Sequence, residues 1–248
     1  MIEKKFKIGY SEIGGIYIGK NIQSNFHEHY AITILISFGE PFKITTADQK
    51  QDFYKVAIIQ KNINYNLHCG ENDFVAFIHI VPYSEIGINL SNNKCVIQKF
   101  DIKPYENALQ ELKDWFDSSE NDTGKVENLL NLVSQIPQTS NNEKIIIDDR
   151  IRKSFDLIMH NESEKLSISQ IAKSVHLSQS HFARLFKRET GMTFREFVLH
   201  SKLIRSIYAM YKENSLTEAS FIGGFSDQPH FTRTFKSAFG IKPSSSRK

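Results

Sequence analysis

Two stretches decide the fold, LSISQIAKSVHLSQSHFARLFKRETGMTF at 166–194 and NSLTEASFIGGFSDQPHFTRTFKSAFGIKP at 214–243, because the second repeats the first. Laying Ser167 on Ser215 aligns Gln170 with Glu218. One extra residue in the second turn then brings Phe182 onto Phe231, Arg184 onto Arg233, Phe186 onto Phe235, Lys187 onto Lys236 and Gly191 onto Gly240. Each copy opens with a capping box, Ser167-x-x-Gln170 or Ser215-x-x-Glu218. In it the hydroxyl accepts a free N–H of the first helical turn while the Gln or Glu side chain reaches back. A short helix therefore starts at each site. A turn follows, HLS at 176–178 or GFS at 224–226, and then a second helix with Phe182, Leu185 and Phe186, or Phe231 and Phe235, on one face.

Helix, tight turn and a second helix with a polar, cationic outer face is the pattern that sets a reading helix in the major groove of DNA. Two ordinary surface hairpins would also carry solvated faces, but they would not share the caps and the Arg-x-Phe-Lys order. Ser180 and Arg184 in the first copy, and Gln228, His230, Thr232 and Arg233 in the second, are expected at base edges. Arg suits guanine O6/N7 and Gln suits adenine N6/N7. Gln179, Lys187 and Lys236 are expected at phosphates, which position the protein without specifying sequence. For Arg184 and Arg233 the competing expectation is an intramolecular role, capping a carbonyl or pairing with Glu189.

The flanks fit a helical domain. IIIDDRIRKSFDLIMHN at 145–161 reads as a first helix with Ile151, Phe155 and Ile158 or Met159 inward. Leu166, Ile171, Ala172, Val175, Phe182, Leu185 and Phe186 form the expected core of the first unit. Gly191 suits a left-handed cap, Thr193 starts the next helix, and FREFVLHSKLIRSIYAMYKEN at 194–214 is long enough to join the two units rigidly.

Together these residues resemble the AraC/XylS-type transcription regulators, whose C-terminal domain holds two helix-turn-helix units joined by a long helix. The signature lies in ASFIGGFSDQPHFTRTFKSAFGIKP at 219–243, preceded by Arg205 and Ala209, and the resemblance covers residues 148 to 243. It implies that both reading helices enter successive major-groove segments on one face of the duplex. Three departures stand out. His176 occupies a turn position usually held by Gly, where a left-handed residue is wanted. Ala219 and Ser220 replace the usual Ile and Ala, and the tail SSSRK lacks the customary aromatic. A thinner second core is expected, with a backbone partner needed for the Ser220 hydroxyl if buried.

Charge divides the chain the same way. Residues 1–147 hold 14 Lys/Arg against 18 Asp/Glu, and residues 148–248 hold 17 against 10, so net charges of −4 and +7 place the basic half on the repeated motif. No apolar run is long enough to span a membrane and MIEKKFKIGY lacks a secretory apolar region, so a cytoplasmic protein without membrane association is expected. Cys69 and Cys95 form no metal or redox spacing and read as small apolar residues.

From Gly14 to about Ile102, GGIYIG, AITILISF, FKIT, KVAII and DFVAFIHIV read as short strands that must stack or close to hide their apolar faces. In the last stretch Phe74, Ala76, Ile78 and Ile80 alternate with Val75, Phe77, His79 and Val81, and both sets are largely apolar. His27-Glu28-His29 puts two histidines on one face. This half resembles the cupin-like sensory domain that precedes many members of the family. A metal-binding cupin, however, carries Glu four residues past the second histidine, where this chain has Thr33, and its second motif is only loosely echoed by His68 and Cys69-Gly70. The expectation is no metal and no cofactor, with His27, His29 and His68 at the rim of an effector site.

IKPYENALQELKDWF places Leu109, Leu112, Trp115 and Phe116 on one helical stripe, and KVENLLNLVSQI places Val126, Leu129, Leu130 and Val133 on another. Both stripes could dock on the chain's own β domain; in the resembled family the segment commonly forms a dimer interface. PQTSNNEK, ahead of the DNA-binding half, is polar and without period. The expected organisation is two-domain α+β: a β barrel or sandwich of cupin type with two helices (1–136), a linker (137–147) and an all-α double helix-turn-helix domain (148–248). The expected function is a non-enzymatic, sequence-specific transcription regulator, an activator by family resemblance, that answers to a small molecule. Its expected partners are double-stranded DNA, a second copy through residues 104–136 and RNA polymerase. The alternatives are a cupin-type metal-dependent enzyme with a fused helical domain, and an architectural DNA binder without effector.

Overall fold

The computed structural model describes residues 6–11, 13–71, 73–91, 95–119, 123–135, 148–159, 167–212, 214–239 and 242–246. The chain divides into two compact units, whose main bodies run to residue 144 and from 145 to 236. The expected linker at 137–147, Leu166, Gly240 and the end of the tail lie outside the described residues, as does the side chain of Met159.

The N-terminal unit contains β1 (Phe6–Ser11), β2 (Gly14–Lys20), β3 (Ile32–Ser37), β4 (Phe42–Thr46), β5 (Gln51–Tyr54), β6 (Val56–Ile59), β7 (Tyr65–His68), β8 (Phe74–Ile80) and β9 (Ile97–Phe100). Three helices accompany them, α1 (Glu85–Leu90), α2 (Glu106–Asp117) and α3 (Thr123–Gln135). All pairings are antiparallel, in a six-stranded sheet of order β1-β2-β8-β3-β6-β9 and a three-stranded sheet of order β5-β4-β7.

The larger sheet is covered on both faces, which explains why its strands are apolar on both sides. Ile32, Ile34 and Ile36 of β3, Val56 and Ile58 of β6, and Ala76, Ile78 and Ile80 of β8 pack with Leu112, Trp115, Val126, Leu130 and Val133 of the helices. Their neighbours Leu35, Ala57, Ile59, Val75 and Phe77 face Phe42, Ile44, Tyr65 and Leu67 of the smaller sheet. Each Val, Leu, Ile or Phe side chain among them contributes about 1.5–3 kcal/mol when fully buried.

The stripes of α2 and α3 are therefore used within the chain, on its own sheet. Gly9 permits the close approach: a Cβ there would lie 2.5 Å from Val126 Cγ2 and 2.7 Å from the Trp115 ring. Lys7 ties β1 to the end of α2. Its buried ammonium donates to the Trp115 carbonyl, and at 3.0 Å to both the Ser118 carbonyl and hydroxyl, while lying 4.5 Å from the Trp115 ring centroid. A cation among the last carbonyls of a helix satisfies otherwise orphaned acceptors. Cys69 is buried, as expected of a small apolar residue, whereas Cys95 is exposed.

The C-terminal unit is helical: α4 (Asp149–Met159), α5 (Ile168–Ser174), α6 (Gln179–Thr190), α7 (Phe194–Tyr211), α8 (Leu216–Ile222) and α9 (Gln228–Phe239). Ile151, Phe155 and Ile158 of α4 are buried, with Phe155 stacked on Phe197 at 5.3 Å and edge-on to Phe186 at 6.0 Å. Met192, Phe194, Phe197 and Leu203 extend this core along α7. Around the second pair the core is built from Ala219, Phe225, Phe231 and Phe235, while Phe221 and Ile222 are 57% and 56% exposed. The Ser220 hydroxyl is buried and donates to the Thr217 carbonyl at 2.7 Å, the backbone partner its position demands. Arg205 of α7 reaches the Ile158 carbonyl of α4 and the Gly223 carbonyl after α8, both at 3.4 Å.

Candidate nucleic-acid interface

The sequence repeat becomes a geometric one. α8 follows α5 at an offset of 48 residues at both ends, and α9 follows α6 at 49, so the inserted residue falls in the turn and leaves each helix intact. Both capping boxes close. Ser167 Oγ accepts from Gln170 N at 3.2 Å while Gln170 Oε1 accepts from Ser167 N at 3.2 Å. Ser215 Oγ accepts from Glu218 N at 3.1 Å while Glu218 Oε2 accepts from Ser215 N at 2.8 Å.

The turns repeat the same hydrogen bonds. His176 N donates to Lys173 O at 3.1 Å and Leu177 N to Ala172 O at 2.9 Å; 48 residues on, Gly224 N donates to Phe221 O at 2.8 Å and Phe225 N to Ser220 O at 2.9 Å. This left-handed helix ending needs positive φ at its first residue, which is +57° at His176 and +87° at Gly224. The histidine thus adopts a backbone conformation that glycine takes without strain.

The reading helices start from different caps. Ser178 Oγ accepts from His181 N at 3.3 Å, and Asp227 Oδ1 accepts from His230 N at 2.6 Å. The His230 N–H holds the Asp227 carboxyl below the usual carboxylate range. Pro229 sits within the first turn of α9, where a missing N–H leaves no helix bond unmade.

Outer faces follow from these phases. Gln179, Ser180, Arg184 and Lys187 of α6 are exposed, as are Arg233 and Lys236 of α9. Glu189 forms its ion pair with Arg188, at 2.7 Å, and not with Arg184. Gln228 and His230 are half-buried, the His230 ring meeting Phe225 edge-on at 5.1 Å. Thr232 differs from the rest of the expected base-edge set: its hydroxyl oxygen is buried, with no hydrogen-bond partner in this structure. Arg188, beside Arg184 and Lys187 on the i, i+4 row, was not singled out from the sequence, although that spacing marks it.

In the N-terminal unit, His27 and His29 do share a side, but in an irregular segment before β3 and not in a strand. Both rings are buried, 6% and 5% exposed, with their Nε2 atoms 2.9 Å apart. His27 Nδ1 lies 2.7 Å from the Asn25 carbonyl, so it carries a proton; with His27 neutral, its Nε2 accepts from His29. Burial lowers the His27 pKa, and the Asn25 carbonyl acts against that. The third ring in the cluster is His79, 4.5 Å from His29, with Nδ1 3.1 Å from the Thr33 hydroxyl. His68 is exposed and lies outside the cluster. Alternation in β8 marked His79 only as one of two apolar-looking sets, and nothing in the local sequence joined it to His27. Among the described residues no three His, Cys, Asp or Glu side chains converge on a point that could hold a metal ion.

Residues 171–248 match the family described as a helix-turn-helix domain. The Msm operon regulatory protein of Streptococcus mutans is 34% identical over 93 residues, which are 37% of this chain and 34% of that protein. An uncharacterised HTH-type transcriptional regulator of Staphylococcus aureus is 28% identical over 110 residues, 44% of this chain and 15% of that protein. The chain thus spans about a third of the first relative's length and less of the second's. ToxT of Vibrio cholerae shares the fold, with a TM-score of 0.63 over 98% of this chain and 97% of that one, at 17% identity. Residues 171–248 thus carry a helix-turn-helix domain, and the chain as a whole shares the fold of ToxT. That helical unit follows an antiparallel β domain of the architecture seen in ToxT. Among the described residues no helix is long and apolar enough to cross a membrane.

Proposed function

We propose that the chain is a one-component transcription regulator: residues 148–248 bind a specific double-stranded DNA site, residues 1–136 sense a small molecule, and residues 137–147 link them. The observation that carries the reading is the pair of reading helices, each started by a capped turn and each presenting an exposed Arg and Lys at the same phase. Ser180, Arg184, Gln228, His230 and Arg233 face base edges, and Gln179, Lys187 and Lys236 face phosphates. Thr232 contributes to base contact only after its hydroxyl turns outward.

A bidentate Arg contact is worth about 1–3 kcal/mol of discrimination. Arg184→Ala or Arg233→Ala should therefore weaken binding to a duplex obtained by in vitro selection roughly 5- to 150-fold, with little change on random DNA. Equal loss on both duplexes would remove the base-reading role.

The sensing half of the proposal is supported by a β unit larger than DNA binding requires and by the buried His27–His29 pair. ToxT, alike in fold, has been crystallised with an unsaturated fatty acid. Because a ligand of the folded state must stabilise it by mass action, a metabolite library that never raises the melting temperature would argue against a sensor. Activation, contact with RNA polymerase, a cytoplasmic setting and a homodimer through residues 104–136 complete the reading. With the apolar stripes of α2 and α3 turned inward, that dimer would use their outer faces; sedimentation showing a monomer with and without DNA would sink it. No catalytic role is part of the proposal.

A further inference from the structure

Four cations line one open groove of the C-terminal unit. Arg184, Lys187 and Arg188 come from α6, Arg195 comes from the first turn of α7, and Ile168 and Phe194 supply apolar lining to a volume of about 700 Å³. We propose that this groove receives the sugar–phosphate backbone bordering the major-groove segment read by α6, with Arg195 and Arg188 as phosphate contacts and the apolar lining against deoxyribose. The inference rests on the DNA-binding reading above and adds to it a place for the strand and two residues.

This charge arrangement is unfavourable for the free protein. α6 sets Arg184, Lys187 and Arg188 three and four residues apart, so their charges share one side of the helix. Among the described residues the carboxylate that pairs with this set is Glu189, on Arg188. No ion pair engages Arg184, Lys187 or Arg195 among those residues. Arg195 also occupies the second position of α7, where a cation opposes the helix dipole. The neighbouring Glu196 is committed to the cap, its Oε2 accepting from Thr193 N at 2.7 Å. Crowded like charges of this kind, three of the four without an ion-pair partner among the described residues, mark a place where local rules yield to function. The ligand that relieves them is an anion, and an open groove beside a reading helix suits a continuous phosphodiester strand. Interior packing does not account for Arg195, whose side chain is exposed.

The test uses the full chain, a selected duplex and a random duplex, with affinity measured against salt concentration. Each phosphate contact contributes about 0.9 to the slope of log K against log salt. Arg195→Gln should lower that slope by about 0.9 and weaken both duplexes equally, and Arg188→Gln should do the same. The free Arg195→Gln protein should melt no lower than the wild type, because the substitution removes a repulsion. An unchanged slope, a loss confined to the selected duplex, or a lowered melting temperature would overturn the assignment. So would thermal protection by inorganic phosphate that depends on Arg195 while the DNA slope stays constant, since the groove would then hold a small anion. If the wild type binds neither duplex, the DNA-binding reading itself fails. If it binds and Arg195→Gln binds identically, only the groove assignment does.

Discussion

Replacing His176 with Gly should stabilise the C-terminal unit, and replacing Gly224 with Ala should destabilise it, although the two positions are structural equivalents. Both residues begin the same left-handed helix ending, at φ +57° and +87°, and make the same pair of backbone bonds. A residue with a Cβ in this region is strained by about 1–2 kcal/mol. A Gly there costs about 0.4–1 kcal/mol through the greater freedom of the unfolded chain. The difference leaves His176→Gly stabilising by about 1 kcal/mol and Gly224→Ala destabilising by a similar amount. Side-chain packing does not disturb the comparison. His176 is exposed, and a Cβ on Gly224 would meet nothing nearer than 3.6 Å, an ordinary contact. For a unit of about 100 residues, 1 kcal/mol moves the melting temperature by roughly 4–8 °C. The chain's single tryptophan, Trp115, belongs to the other unit, so the transition should be followed by helical circular dichroism and not by tryptophan fluorescence. A His176→Gly protein that melts lower than the wild type, or a Gly224→Ala protein that melts unchanged, would refute the strain argument.

Three further outcomes are expected. His200 of α7 is buried and its pKa is pushed down to about 4, by that burial. The unfolded chain therefore binds the extra proton between pH 6.5 and 4, and stability should fall through that window, by about 2 kcal/mol at pH 5. Urea unfolding of wild type and His200→Leu at pH 7.5 and pH 5 measures this, and an equal pH dependence in both would contradict it. Lys7→Met leaves the last carbonyls of α2 without their buried donor and should cost about 1–3 kcal/mol, read from denaturation followed by Trp115 fluorescence. Gly9→Ala presses a methyl into Val126 and the same indole, at a cost of about 1–3 kcal/mol in the same assay; an unshifted midpoint would mean that α2 and α3 give way freely.

The helical half was legible because its determinants are local. Capping boxes, turn residues and apolar periodicity are all contained within a few residues of one another, and the repeat checks each copy against the other. Even the misfit could be seen in advance: His176 in a position that wants Gly is the strained residue found there. The β half was legible as strands but not as layers. Ile34 and Leu35 are equally apolar because one faces α2 and α3 and the other faces the smaller sheet, and no period separates two buried faces. β1, β5, β7 and β9 went unread for the opposite reason, being short or carrying too many polar residues to stand out. His79 replaced His68 beside His27 and His29 because strand order β8-β3 brings them together, and that order is a property of the sheet. The burial of the Thr232 hydroxyl was similarly hidden, since residue type does not record which atom faces outward.

The unlikeness of the two helix pairs has a consequence for any DNA the protein reads. The copies differ in cap, in turn and in the residues presented, so a site read by both helices would have a direction. A single chain could then distinguish upstream from downstream without help from a second copy, and an inverted target would be a different target.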